Sequence, residues 1–164
     1  MASTMFLQLK GITGECTEKD HEEWIEIVGC SHGAEMPGTD RRSSTGPSVE
    51  RCNHNPIGFS KPIDKSSMTL MSHLWKGKEI KKGKIECFRA DQDNVPIDYV
   101  VIEMEGLFLI SHSLTGAEGE IFQEDYSMTY GVIQYTYKGQ GHLEGKPDPV
   151  VQSSKVDLLE GTFK

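Results

Sequence analysis

No Cys-x-x-Cys pair occurs in this chain: Cys16, Cys30, Cys52 and Cys87 are scattered along 164 residues. That spacing excludes the dense disulfide framework of a small secreted domain and leaves reduced thiols, made in the cytoplasm, as the default. No segment reaches ~18 consecutive apolar residues, and residues 1–10 have neither a basic start followed by an apolar run nor a small-residue cleavage site. The expectation is a soluble chain, cytoplasmic at synthesis, whose export must bypass the general secretory route without a cleaved signal peptide. Positive charge is scarce as well, with 17 Lys and Arg against 25 Asp and Glu and a formal net charge of -8. Such an average surface repels duplex DNA and anionic lipid, so neither a nucleic acid partner nor membrane insertion is expected unless a local basic patch overrides it. There is no internal repeat and no low-complexity tract, and only one segment carries a clear helical period.

What is present suits a single domain over 1–164 that buries roughly 70% of its unfolded surface. Its compact core is expected at about 5–138, followed by a loop and a possible edge strand over 139–164. The helical segment, 63–77, places Ile63, Met68, Leu70, Met71, Leu74 and Trp75 on one arc and Thr69, Ser72, His73 and Lys76 opposite. Asp64, Ser66 and Ser67 can cap its start, and Gly77 can end it. Its apolar stripe predicts a lid or plug over a sheet or barrel opening. The rest alternates with period two. Strands are expected at 5–10, 23–29, 49–60 with Pro56 at an edge or bulge, 84–89, 97–110, 121–138 and 150–163. In the 97–110 strand, Val100, Ile102, Met104, Phe108 and Ile110 are expected on one face; in the 121–138 strand, Tyr126, Met128, Tyr130 and Val132. Residues 33–48 read as a long polar loop, and 111–119 as a shorter one. Six or so strands with one helix predict a mainly β fold, a small antiparallel β-barrel or sandwich with one flanking α-helix.

Several motifs invite a chemical reading. Gly29-Cys30-Ser31-His32-Gly33 matches Gly-x-Ser-x-Gly, with His54, His73 or His112 as the base, but Pro37 and Gly38 follow where a nucleophile elbow needs a helix. Cys30-x-His32 and Cys52-x-His54 form a Cys₂His₂ set if the two segments pair antiparallel with index sum 84; the spacing is unlike the usual zinc modules, and no metal is expected. Lys76, Lys78, Lys81, Lys82 and Lys84 read as a solvated turn, and Glu103 and Glu105 as solubilising residues on an open strand face.

A resemblance emerges from the order of several stretches. Gly11-Ile-Thr-Gly-Glu-Cys-Thr-Glu-Lys-Asp-His21 before a strand, Asp64-Lys-Ser-Ser-Met-Thr-Leu70 at the helix start, Trp75-Lys-Gly-Lys78, Cys87-Phe-Arg-Ala90 and the paired long strands after it resemble the hemolysin-coregulated protein (Hcp) family. The resemblance runs over about 5–138. It implies a β-barrel subunit that forms hexameric rings, stacks them into the inner tube of a type VI secretion system, is secreted, serves virulence and carries effectors in its lumen. Its implied partners are further copies of itself and the sheath, spike and effector proteins of that system. It implies no enzyme activity and no cofactor. By the same resemblance, residues 29–33 reach the lumen and Ser31 is the candidate effector contact. The polar loop supplies the ring-stacking candidates Arg41, Arg42, Ser43, Ser44 and Thr45. The chain departs from the family at Ser67-Met-Thr-Leu70, where Ser-Pro-x-Leu is usual, at Cys16, and in the tail after Lys138. The alternative of another class is a monomeric β-barrel binding module, which oligomeric state distinguishes from a ring.

Overall fold

Period-two patterning becomes twelve strands around one helix in a computed structural model that describes residues 4–38, 51–90, 96–140 and 147–163. In chain order these are β1 (Thr4–Leu9), β2 (Ile25–Ile27), β3 (Gly29–Ser31), β4 (Ala34–Glu35), β5 (Asn53–His54), β6 (Ile57–Pro62), α1 (Ser66–Lys76), β7 (Ile80–Ala90), β8 (Pro96–Thr115), β9 (Gln123–Thr129), β10 (Val132–Gln140), β11 (Pro147–Asp157) and β12 (Thr162–Phe163). Every ladder is antiparallel. A large sheet runs β12-β11-β10-β8-β7-β1-β2, and a small one runs β3-β6-β9-β8. Between their inner faces lies one core, with Leu7, Ile25, Ile57, Ile85, Leu107 and Met128 fully enclosed. The fold is mainly β and antiparallel with a single short helix among the described residues, as the alternation predicts, although the ladders do not close into a complete barrel.

Three places where the sequence reads as one strand are in fact changes of sheet. The 23–29 run divides at Val28, so that β2 pairs with β1 in the large sheet and β3 with β6 in the small one. The 121–138 run divides at Tyr130 and Gly131 into β9 and β10, which again belong to different sheets. Tyr126, Met128, Tyr130 and Val132 are nevertheless all buried, as expected. Strand β8 passes through both sheets, pairing with β7 up to Leu107 and with β9 from Phe108 to Thr115, so residues 111–115 are strand and not loop. Its single expected apolar face is corrected at Gly106. There φ is +66° and the alternation changes phase. Ile102 and Met104 are buried before it and Leu107 and Leu109 after it, while Phe108 and Ile110 are turned out.

The helix is shorter than its periodicity suggests. Asp64 Oδ1 accepts from the Ser66 N–H at 2.9 Å, and Ser67 Oγ accepts from the Asp64 N–H at 3.1 Å, a reciprocal cap that fixes the first turn. Gly77, left-handed at φ 58°, donates to the Leu74 carbonyl, and Lys78 donates to that of His73, which closes the last turn. The lid expectation holds only in part. Leu70 is fully buried and Leu74 packs against the core, but Met68 is 60% and Trp75 76% exposed. The helix rests along β8 on the Leu70–Leu74 side and leaves the rest of its stripe uncovered.

A buried ionic cluster holds the helix start to the small sheet. Lys61 on β6 and its cross-strand partner Glu124 on β9 are 0% and 1% exposed and lie 2.9 Å apart. The Lys61 ammonium also donates to Asp64 at 2.8 Å and to Ser67 Oγ at 2.8 Å. Ser67 Oγ, Tyr126 and His112 complete the shell of Glu124. Burial alone would push the Glu124 carboxyl up, but the bonds from Ser67 and Lys61 hold it below the usual carboxylate range. On the outer face of the large sheet, the charged connection before β2 folds back so that His21 stacks on Phe6 and meets Glu86 at 2.7 Å.

The beginning of the polar loop forms the small hairpin β4–β5. Arg41, Arg42, Ser43, Ser44 and Thr45 lie outside the described residues, as do residues 49 and 50 of the expected 49–60 strand. The tail adds more strand than expected: β11 pairs with β10 along most of its length, and β12 lies at its outer edge.

Removing one partner of the cluster leaves a buried charge uncompensated, so Lys61→Met is expected to destabilise the fold by about 3–5 kcal/mol. The double change Lys61→Met with Glu124→Leu is expected to recover most of that loss. Urea unfolding followed by circular dichroism measures both.

Candidate functional site

Ser31 ends β3, where it pairs with Gly58 of β6, and it is exposed. A Cβ added at Gly58 would meet Ser31 Oγ at 2.8 Å, so the hydroxyl lies over space that only glycine leaves open. Continuing across the sheet, register gives two outward rows, Ser31–Gly58–Ser127–Ser111 and Gly29–Ser60–Asp125–Ser113. Within the second, Ser60 Oγ donates to Asp125 at 2.5 Å and Ser113 Oγ to the same carboxylate at 3.5 Å. A shallow hollow of about 280 Å³ lies over this face, bounded by Ser31, Gly58, Ser60, Asp125 and Ser127. Around Ser31 the face is built of small, hydroxyl-bearing side chains and one carboxylate, while Phe108 and Ile110 are exposed elsewhere on β8. Such a wall stays hydrated and can hydrogen-bond to a passing polypeptide without gripping it through apolar contact.

The Gly-x-Ser-x-Gly match does not make a nucleophile elbow, because β3 leads into the β4–β5 hairpin rather than a helix. The three histidines that could serve Ser31 as a base are engaged elsewhere: His54 with Tyr130, His73 with the Thr69 carbonyl and His112 with Glu124. The assumed zinc register is also corrected. Ala34 pairs with His54 and Glu35 with Asn53, while Cys30 pairs with Phe59, so the four candidate ligands do not share one row. No three His, Cys, Asp or Glu side chains converge as a metal site among the described residues. The expected solvated turn of lysines is corrected: Lys76 ends the helix and Lys81, Lys82 and Lys84 belong to β7, where Lys82 is exposed and reaches Glu105 at 3.4 Å.

His32 and His54 are brought together in another way. Tyr130 bridges them, with its hydroxyl 2.6 Å from His32 Nε2 and 3.3 Å from His54 Nδ1, and Tyr135 occupies His32 Nδ1. This chain of side chains ties the β4–β5 hairpin to the start of β10. Burial, and secondarily the neighbouring His54, lowers the pKa of His32. Burial likewise raises Tyr130, and Tyr135 to about 12. The sequence reading missed both tyrosines as partners, since nothing in local spacing announces a contact across about 100 residues. The serine rows leave a fainter local signal, in the alternation of Ser111 and Ser113.

Because His32 is held neutral, its contribution to stability is complete above the ordinary histidine value near about 6.5 and is lost as pH falls below it. Thermal melts between about pH 7 and 5.5 should therefore show a decline that His32→Gln flattens. The carboxylates Glu86 and Glu124, lowered from 4.5, act only at lower pH and do not confuse that window.

Comparison with known proteins agrees with this geometry. Residues 6–137 match the family described as "Type VI secretion system effector, Hcp". The chain is 28% identical over 151 residues to Protein hcp1 of Pseudomonas aeruginosa, with 90% of this chain and 92% of that protein covered. A solved type six secretion system protein superposes with a TM-score of 0.91 at 21% identity, covering 99% of this chain and 100% of the other. Hcp1 from Salmonella typhimurium gives 0.78 at 18% identity, with 100% of both chains covered. With the family match spanning both sheets and the helix between them, this chain belongs to the Hcp family of type VI secretion system effectors.

Proposed function

We propose that this chain is a structural subunit that forms hexameric rings, that the rings stack into the type VI inner tube, and that effectors travel in the lumen. The observation that carries this reading is the amount of large apolar side chain left facing outward on an otherwise well-packed fold. Trp75 and Met68 on the helix, Ile63 beside it, Leu114 near the end of β8, and Ile121 and Phe122 on the β8–β9 connection are all exposed. Exposed large apolar side chains in this number suit an interface, and a closed ring needs one surface that fits a different surface of the next copy. The hydroxyl-rich face around Ser31 suits the opposite task of lining a wet channel, which supports Ser31 as an effector contact. The whole chain acts in this proposal as one domain, since β11 and β12 extend the same large sheet.

The sheath, spike and effector proteins are its further partners, and the subunit is cytoplasmic before assembly and leaves without a cleaved signal peptide. No helix among the described residues is long and apolar enough to cross a membrane. Its role is structural, with no catalysis and no cofactor. Six copies at -8 each bring about -48 into one ring, so ring stacking is sensitive to salt and to any cation that offsets it. Arg41 and Arg42, with Ser43, Ser44 and Thr45, are the proposed stacking contacts.

Light scattering on a size-exclusion column, with negative-stain images of the same peak, tests the ring. The expected mass is six times 18.3 kDa with ring-shaped particles, and a monomer across salt and concentration overturns the reading in favour of a β-barrel binding module. Charge reversal at both Arg41 and Arg42 is expected to shorten tubes while leaving hexamers intact; unchanged tube length refutes the stacking assignment.

A further inference from the structure

Register fixes the charge pattern of the small sheet's outer face. Among the outward positions of β3, β6, β9 and the part of β8 from Phe108 to Thr115, Asp125 alone carries a charge; the rest are glycine, hydroxyl, amide, proline or apolar. Its charged neighbours point the other way. Lys61 and Glu124 are buried on the inner face 2.9 Å from each other, and His112 is held to Glu124 at 3.1 Å. Asp125 is exposed and has no ion-pair partner among the described residues. Its two oxygens are unequally engaged. Ser60 Oγ donates to Oδ1 at 2.5 Å, whereas Ser113 Oγ is 3.5 Å from Oδ2, at the outer limit of a hydrogen bond, so Oδ2 keeps lone pairs for another donor. Beside it the sheet is cut down to backbone at Gly58, which leaves the hollow of about 280 Å³ that Ser31, Ser127 and Asp125 border.

We propose that Asp125 is the specificity-determining residue of this face, and that it selects an extended polypeptide segment bearing arginine. This deepens the assignment of the Ser31 face to effector contact and rests on it. A guanidinium is planar, permanently charged and carries five N–H donors. Seated in the hollow, it donates one N–H to Asp125 Oδ2 and others to the Ser31 and Ser127 hydroxyl oxygens. A neutral segment finds the same hydroxyls without the charge, and an acidic one is repelled. The row Ser31–Gly58–Ser127–Ser111 crosses four strands spaced about 4.8 Å apart, so it offers a track of roughly 14 Å, the length of about four extended residues. One exposed ion pair is weak, which suits cargo that must later leave. In the proposed ring, symmetry repeats Asp125 six times at one height, so a segment with several arginines engages more than one carboxylate. Repetition turns a weak contact into a preference.

Fluorescence anisotropy on the full-length chain tests the assignment with two labelled peptides of equal length, one carrying three arginines in a glycine–serine background and the other glutamine in their place. Light scattering is read on the same samples. At low salt the arginine peptide is expected to bind at least about tenfold more tightly than the glutamine peptide. Asp125→Asn keeps an oxygen for Ser60 and removes only the charge; it is expected to abolish most of that preference, and Asp125→Glu to retain it. Glu103→Gln removes the same charge from the exposed face of the large sheet and is expected to leave the preference unchanged. Equal binding of the two peptides, a preference that survives Asp125→Asn, or one that falls as far in Glu103→Gln overturns the proposal. A hexamer without the preference removes this site and leaves the ring standing, whereas a monomer that shows the Asp125-dependent preference removes the ring and leaves the site.

Discussion

The ion pair between Lys61 and Glu124 is the contact on which the surrounding architecture depends. Each charge is withdrawn almost completely from water, and such a pair is tolerated only when the remaining donors and acceptors are satisfied. Here they are: Asp64, Ser67, Tyr126 and His112 fill the shell. The geometry requires β6 and β9 to be in register, since the two residues face each other across that ladder. It also requires the helix to begin where it does, because Asp64 and Ser67 are at once its caps and members of the cluster. One polar knot thus sets a strand register, a helix start and the seating of that helix along β8.

A second constraint comes from chain continuity. Strands β2 into β3, β8 along its length, and β9 into β10 each leave one sheet and enter the other, so the sheets are held by covalent chain as well as by packing. Gly106 shows the mechanism most clearly. A left-handed residue in a strand shifts the pleat by one, so Leu107 and Leu109 reach the core where uninterrupted alternation would have sent Phe108 and Ile110. The side chains displaced outward, Phe108 and Ile110, are left exposed on β8. A local backbone choice in this way decides which residues stabilise the subunit and which face outward.

The surfaces divide by chemistry. Around Ser31 the small sheet shows hydroxyls and a carboxylate, the helix shows Trp75 and Met68, and the His32–Tyr130–His54 chain secures the β4–β5 hairpin. A ring subunit needs such a division, because a channel wall must stay wet while a subunit contact must dry on association. Ser31 sits on the wet side, beside the exposed Cys30.

Much was legible from sequence. Alternation located the strands, the single 3.6-residue period located the helix, and the ordered motifs indicated the family, because these signals are local and each depends on residues within a few positions of one another. What only the tertiary structure decided is everything that depends on phase and register. The face of β8 after Gly106, the partners of Lys61 and the true pairing of Cys30 with Phe59 all depend on which strands lie together. The physical reason is the two-residue repeat of a strand: a single left-handed residue or a shift of one pair exchanges every inside for an outside. No local pattern records where across the sheet the partner will be.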